Sequence, residues 1–239
     1  MHHAPDASLP GTSGSPGSWS RARVYAFPLL LLLCVTLPHL DAGDWQRSDG
    51  AWYGAISLQA WRTGEFVTLY AEPGAPYFNK PPLAFWISGL FLHVLGPGPV
   101  AARLPTILAA AVCVVLTVST ARIVMSGRGA MWAGIVLALT YEFFRRTREI
   151  SLDMWQAVFL IASLRLVVGA IASRDSRRAA VSVALSGVPV GLALMCKPLV
   201  GLAAIPILAV AAACAGRWRL LPWFLASLAL AISVAAPWH

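Results

Sequence analysis

Six apolar segments, each close to the length of a membrane-spanning helix, occupy most of the chain after residue 100. They lie at about 104–121, 129–144, 150–172, 179–196, 199–216 and 220–238. A helix needs roughly 20 apolar residues to cross the hydrocarbon core of a bilayer. Only 12% of the residues are charged and the mean hydropathy is +0.70, whereas soluble domains carry roughly a quarter charged residues. The sequence therefore predicts an all-α fold, a polytopic transmembrane helical bundle.

The N-terminal residues divide into a polar tail and a further apolar segment. Residues 1–23 are rich in Pro, Gly and Ser, a composition typical of disorder, and we predict a disordered cytoplasmic tail. Arg21 and Arg23 precede the apolar segment 24–40, which lacks a clean signal-peptidase site and is predicted to be the first transmembrane helix. Residues 24–239 then form one transmembrane core with about seven spanning helices.

The longest polar stretch separates the first apolar segment from the six later ones, and residues 41–103 are predicted to form an extracytoplasmic first loop. A short helix is expected at about 50–62, ended by Gly64. The segment 81–96 is too short to be an unambiguous span. If this segment lies on the membrane surface, slightly more of the Lys and Arg residues fall on the cytoplasmic side than on the outer side. If it spans the membrane, more of them fall on the outer side, which the positive-inside rule disfavours. We therefore predict interfacial juxtamembrane helices in this loop.

The net charge is +8, and the excess basic residues are expected to contact membrane lipid headgroups on the cytoplasmic side. Binding to nucleic acid would require a basic face on a soluble element, and none is evident, so no nucleic-acid partner is predicted. The cysteines lie in or beside apolar runs without metal-ligand spacing. No metal site and no cofactor are predicted.

Two charged residues at the borders of the first loop are candidates for chemistry. Asp49 precedes the expected short helix, where it could be an N-cap or a partly desolvated carboxylate acting as a general base. Lys80 lies in PYFNKPP. It could be an interfacial lysine whose ammonium extends to water, or it could bind a phosphate at headgroup level, held in place by the two prolines behind it.

Two more charged residues are predicted to reach the same membrane face. Asp153, in SLDMW, stands at the start of a helix, where the dipole alone favours an acid and Arg148 offers a simple ion-pair partner. Lys197, in CKPLVGL, separates two apolar runs. It could be only a loop anchor. Charges are costly inside a bilayer, so their convergence at helix ends indicates a site.

The order of these motifs resembles that of the GT-C membrane glycosyltransferases, especially bacterial relatives of protein O-mannosyltransferases, the lipid A aminoarabinose transferase and galacturonosyl transferases. The resemblance extends over about residues 40–239. The motifs are Asp49 with Tyr53, Gly64, PYFNKPPLAFW at 76–86, AARLPT at 101–106, SLDMW at 151–155, CKPLVGL at 196–202 and APW at 236–238.

The resemblance implies an enzyme that transfers a sugar from a polyprenyl-phosphate donor to an acceptor hydroxyl with inversion. The active site would face the outside of the plasma (inner) membrane, and the acceptor would be a protein, a lipid or a polysaccharide. Asp49 is implied as the catalytic base and Lys80 as the phosphate-binding lysine. Asp153, Lys197 and Tyr53 are implied to bind the substrate or its lipid phosphate.

The chain departs from the family pattern at three points. Gly50 and Asn79 stand where relatives carry acids, and the second of those acids helps some relatives to hold a divalent metal, so no such site is expected here. The family is usually much longer, which implies a fragment or a shortened product. A membrane transporter or permease and a truncated non-catalytic membrane fragment are the alternative functions.

Overall fold

The computed structural model describes residues 20–38, 40–42, 49–72 and 74–238, and it is a bundle of α-helices. The helices are α1 (Arg21–Thr36), α2 (Asp49–Thr63), α3 (Leu83–Leu95), α4 (Pro99–Val124), α5 (Gly127–Leu139), α6 (Tyr141–Arg146), α7 (Leu152–Ala172), α8 (Ser176–Leu185), α9 (Gly187–Leu194), α10 (Pro198–Cys214) and α11 (Trp223–Ala235), with a 3₁₀ turn at Trp218–Leu220. The all-α prediction is confirmed. One small antiparallel hairpin, β1 (Tyr70–Glu72) with β2 (Ala75–Pro76), adds to it.

Within the described residues, four helical stretches are long and apolar enough to cross a membrane. They are Pro99–Val124, Leu152–Ala172, Ser176–Leu194, which joins α8 to α9, and Trp218–Ala235. Helices α3 and α5 and most of α10 are apolar but shorter. The chain is thus a multi-pass membrane protein, and the larger number of about seven spans stays a prediction.

Three buried clusters hold the bundle together. The first joins α1, α4 and α5 to the beginning of α7, with Leu32 and Val114 fully buried. The second joins α7 to the helices that follow it, around Val167 and Val190. The third packs α2 and α3 through Phe85 against residues at the start of α7 and in the turn before α10. This third cluster attaches the first loop to the helix ends that carry the candidate charges.

Helices α2 and α3 pack very closely because a glycine stands at their crossing. A Cβ atom added to Gly89 would lie 2.3 Å from the carbonyl oxygen of Ser57 and 2.4 Å from a ring atom of Trp61. One indole hydrogen bond also joins these two helices, in which Trp61 Nε1 donates to the Trp86 carbonyl at 2.8 Å. The 13 residues of α3 extend only about 20 Å. That length is compatible with the predicted interfacial placement.

The apolar segment predicted at 129–144 is divided in the structure. Helix α5 ends at Leu139 because Thr140 adopts an extended conformation (φ −64°, ψ 122°), and α6 begins at Tyr141. The Thr140 hydroxyl donates to the Val136 carbonyl at 2.8 Å and so closes the last turn of α5. The break turns the segment YEFFRR, with its three charges, away from the α5 axis and toward the start of α7.

Candidate functional site

Asp153 and Lys197 form an ion pair between the beginnings of two helices. Asp153 lies in the first turn of α7, whose N-cap Ser151 accepts the Met154 N–H through its hydroxyl at 3.3 Å. Lys197 has an extended backbone (φ −150°, ψ 116°) immediately before α10. Its Nζ contacts Asp153 Oδ1. Both side chains are about one-third exposed (37% and 33%), so the pair is accessible to a ligand.

The backbone of the turn before α10 is fixed by two neighbouring elements. Gln156, one helical turn after Asp153, donates from Nε2 to the carbonyl of Lys197 at 2.8 Å. The N–H of Leu83, at the start of α3, donates to the Met195 carbonyl at 3.2 Å. The turn carrying Lys197 is therefore bonded both to α7 and to the segment that follows Lys80.

Two arginines from α6 complete a charged network around Asp153. Arg146 Nη1 lies 3.3 Å from Asp153 Oδ2 and 3.1 Å from Glu149 Oε1. Arg145 Nη2 lies 2.6 Å from Glu142 Oε1. Hydrogen bonding from Arg145, supplemented by Arg146, lowers the pKa of Glu142 to about 2. Arg148, the partner foreseen for Asp153, instead donates to the carbonyls of Thr36 and Pro38, at 3.4 and 3.2 Å.

The AARLPT motif on α4 supports this network from behind. Arg103 is 3% exposed, and its Nε donates to the Arg148 carbonyl at 3.0 Å. The hydroxyl of Thr106 donates to the Glu149 carbonyl at 2.9 Å and accepts the Ser151 N–H at 3.3 Å. Both side chains thus bind the short turn between α6 and α7, and they fix where α7 starts.

A polar cleft of about 330 Å³ opens beside the network. It is lined by Tyr53, Arg145, Arg146, Glu149, Ile150, Ser151, Leu152, Asp153 and Lys197. Three of these side chains are cationic and two are carboxylates, and a third carboxylate, that of Glu142, pairs with both arginines from outside the lining. Such a cleft favours a strongly polar or charged ligand.

The structure brings three of the five predicted site residues to this cleft: Asp153, Lys197 and Tyr53. The Tyr53 ring packs edge-on against Phe85, with ring centroids 5.4 Å apart. Asp49 is the first residue of α2, four positions before Tyr53, but its side chain lies outside the described residues. Lys80 is half-buried in the loop before α3 and does not line the cleft.

Sequence reasoning missed Arg145, Arg146 and Glu149 as members of the site. The signal that could have found the two arginines is their spacing of three and four residues from Glu142, because residues three or four apart meet on one side of a helix.

Cys196 adjoins the ion pair and is fully buried. Burial, with a smaller contribution from the negative charge of Asp153, raises the pKa of its thiol to about 12. A thiol in that state supplies almost no thiolate near neutral pH. Across the described ranges, no three His, Cys, Asp or Glu side chains are grouped as metal ligands would be, and the expectation of no metal site stays a prediction.

Comparison with known proteins gives concordant matches. The family model described as dolichyl-phosphate-mannose-protein mannosyltransferase matches residues 79–239. An undecaprenyl phosphate-alpha-4-amino-4-deoxy-L-arabinose arabinosyl transferase of Edwardsiella ictaluri is 29% identical over 220 residues, covering 90% of this chain and 39% of that protein. The chain thus spans about two fifths of the length of this relative.

Solved structures share the fold. The ArnT protein of Cupriavidus metallidurans superposes with a TM-score of 0.73 in its apo state (23% identity, 90% of this chain and 40% of that one). The structure of its complex with undecaprenyl phosphate superposes with a TM-score of 0.74 (22% identity, 92% of this chain and 41% of that one). The resemblance to GT-C membrane glycosyltransferases is thereby confirmed. Because the family model covers well over half of the chain, this protein belongs to the dolichyl-phosphate-mannose-protein mannosyltransferase family.

Proposed function

We propose that the protein takes part in transferring a sugar from a polyprenyl-phosphate donor to an acceptor hydroxyl, with inversion of the anomeric centre. The observation that carries this proposal is the cleft at the beginnings of α7 and α10, where three cationic side chains, Lys197, Arg145 and Arg146, are brought together. A departing lipid phosphate develops negative charge, and preorganised cations in a partly dehydrated cleft stabilise it.

The relatives support the same chemistry. One is named as a transferase of an aminoarabinose carried on undecaprenyl phosphate, and the structure of another contains bound undecaprenyl phosphate. We propose a lipid-phosphate donor for this chain as well, because it shares the fold of these relatives and has cationic side chains in a cleft at its helix ends. Family membership in a group of transferases disfavours the transporter alternative.

The proposed reaction is a single displacement. The carboxylate of Asp49 accepts the proton of the acceptor hydroxyl, and that oxygen attacks the anomeric carbon opposite the phosphate. The bond from the anomeric carbon to the phosphate oxygen breaks, and its electron pair stays on the phosphate. Lys80 binds this phosphate, and Lys197 contributes positive charge from the cleft. Because the leaving group is already an anion, no general acid is required.

Asp153 and Tyr53 have positioning roles in this proposal. Asp153 binds both Lys197 and Arg146 and so fixes the spacing of the two cations. Tyr53 stands one turn after Asp49 on α2 and forms part of the cleft wall, together with Asp153 and the two cations. The site is proposed to face the outside of the inner membrane, with a membrane-borne donor and an acceptor that is a protein, a lipid or a polysaccharide.

The test is sugar transfer in proteoliposomes that contain the chain, an undecaprenyl-phosphate-linked sugar and a hydroxyl acceptor. Release of undecaprenyl phosphate and the mass of the glycosylated acceptor are measured. Asp49→Asn is expected to lower the rate by about 10²- to 10⁴-fold, the range for loss of a general base. Binding of undecaprenyl phosphate, followed separately, is expected to weaken in Lys80→Met but not in Asp49→Asn.

The matched control is Asp175→Asn. Asp175 caps α8 by accepting the N–H groups of Arg177 and Arg178 at 2.9 and 3.1 Å, and it lies beyond the end of α7 opposite to Asp153. Asn caps helices as well as Asp does, so this variant should keep its activity. Full activity in Asp49→Asn would refute the assigned base. Movement of the donor across the bilayer without any transfer would favour a transporter.

A further inference from the structure

The helices that carry the cleft also build a second, larger groove at their other ends. Asp153 is at the start of α7 and Lys197 immediately precedes α10, whereas the groove lies near the ends of these helices, at Ala172 and Cys214. The 21 residues of α7 extend about 30 Å, the thickness of the hydrocarbon core. The groove therefore lies at the opposite membrane interface from the cleft.

The groove has a volume of about 770 Å³. Its lining combines basic, aromatic and aliphatic side chains: Ser176, Arg177, Ala180, Val181, Arg217, Trp218, Arg219, Leu220 and Trp223, with Gly216. No acidic residue is among the described residues that line it. Three arginines therefore line the groove together with apolar side chains, without a carboxylate in the lining.

The neighbouring charges are already engaged elsewhere. Asp175, the acid just before the groove, pairs with Arg178 at 3.2 Å and caps the first turn of α8. Arg217 Nη2 donates to the carbonyls of Ala170 and Ser173, at 3.3 and 2.9 Å, and so it ties the groove to the end of α7. The remaining cations of the lining, Arg177 and Arg219, belong to exposed residues.

Two tryptophans give the groove the character of a membrane interface. Trp218 is 64% exposed and Trp223 is 44% exposed, a large apolar area for a protein surface in water. Indole side chains concentrate at the headgroup level of bilayers. Guanidinium groups bind phosphate oxygens in a bidentate manner. The lining thus offers phosphate ligands on one side and surface for an acyl chain on the other.

We propose that this groove binds an anionic phospholipid of the surrounding leaflet. The headgroup phosphate lies between Arg177 and Arg219, and the upper part of an acyl chain packs on Val181, Leu220 and Trp223. Phosphatidylglycerol, with its net negative charge, is bound in preference to the zwitterionic phosphatidylethanolamine. This proposal is independent of the sugar-transfer function, because it uses no residue of the cleft.

The test is native mass spectrometry of the detergent-purified chain titrated with phosphatidylglycerol or phosphatidylethanolamine. Arg177→Gln combined with Arg219→Gln is expected to weaken phosphatidylglycerol binding by more than tenfold, given that each arginine near an anionic headgroup contributes about a fivefold effect. Phosphatidylethanolamine binding should change little. The matched control is Arg174→Gln with Arg178→Gln, which removes two exposed arginines near the same end of α8 that do not line the groove, and it should lose less than about threefold.

Three results would overturn the proposal. Equal losses in the two double variants would show attraction to diffuse surface charge only. Displacement of the lipid by millimolar inorganic phosphate would indicate a site for a soluble anion. Equal affinity for the two lipids in the unmodified chain would show that the arginines do not select headgroups. If the glutamine variant fails to fold, Arg177→Lys with Arg219→Lys replaces it. That variant keeps the charge but loses the bidentate geometry, and it should bind phosphatidylglycerol with intermediate affinity.

Discussion

Arg103 on α4 donates from its Nε to the carbonyl oxygen of Arg148, 3.0 Å away, across 45 residues of sequence. The Nη1 atom of the same guanidinium donates to the carbonyls of Leu40 and Ala42, at 2.7 and 2.6 Å. One buried side chain therefore connects α4, the segment after α1 and the turn that precedes α7. The charged network around Asp153 depends on that turn.

Arg103→Met is expected to destabilise the protein by about 3 kcal/mol or more. The variant leaves three carbonyl groups without their charged donor, and each hydrogen bond to a charged group contributes about 1.5–3 kcal/mol. Denaturant unfolding in detergent measures the effect. Arg178→Met is the control, because Arg178 is 86% exposed in a surface ion pair and should change stability by less than about 1 kcal/mol. Similar losses in the two variants would contradict a structural role for Arg103.

Gly89→Ala is expected to separate α2 from α3. The new methyl group would overlap the Ser57 carbonyl at 2.3 Å, and backbone cannot yield as a flexible side chain can, so we expect a loss of about 1–3 kcal/mol. Gly127→Ala is the comparison, since its methyl group would meet Val24 at an ordinary 3.6 Å. Thermal unfolding monitored by circular dichroism should show a lower midpoint for the first variant alone.

The coupling between Asp153 and Lys197 is measurable by a double-mutant cycle with Asp153→Asn and Lys197→Met. Both groups are about one-third exposed, so solvent screens their attraction and we expect a coupling of about 0.5–1 kcal/mol in unfolding free energy. In undecaprenyl phosphate binding, Lys197→Met should weaken affinity more than the isosteric Asp153→Asn, because it removes a cation. Strictly additive single effects in unfolding would mean that the two side chains do not stabilise each other.

Glu142 is expected to remain ionised at pH 3, because hydrogen bonding from Arg145 lowers its folded-state pKa from the ordinary 4.5 to about 2. For a carboxyl group with a lowered pKa, the stabilisation is fully present above the unfolded-state value and is lost as pH falls through the folded one. The ion pairs of Glu142 with Arg145 and Arg146 in α6 should therefore weaken as the pH falls from about 4.5 to 2. Carboxyl ¹³C NMR of labelled glutamate measures the titration, with Arg145→Gln expected to move it upward. An unchanged midpoint in that variant would contradict hydrogen bonding from Arg145 as the main cause.

The helical bundle was predictable because hydrophobic length is a local property. The apolar runs at 104–121 and 150–172 correspond closely to α4 and α7. The interruption at Thr140 was not predictable from hydropathy, because the residues on both sides of it are apolar or aromatic. A single extended residue there changes the direction of the chain without changing its composition.

The site was only partly predictable for a different reason. Asp153 and Lys197 stood out as rare charges at the ends of apolar runs, and the structure places them in contact. Arg145 and Arg146 are equally rare, but membrane topology rules count charges and do not say which ones meet. The choice of Arg146 over Arg148 as the partner of Asp153 depends on the break at Thr140 and on the carbonyls that Arg148 binds.

Gln156 and Asp153 bind the two ends of the same lysine, one through its carbonyl and the other through its ammonium. A membrane protein made on the ribosome delivers α7 to the bilayer before α10 exists. Until Lys197 is synthesised, Arg146 is the cationic partner of Asp153 among the described residues. The cleft is therefore completed only when α10, the helix that follows Lys197, docks beside α7.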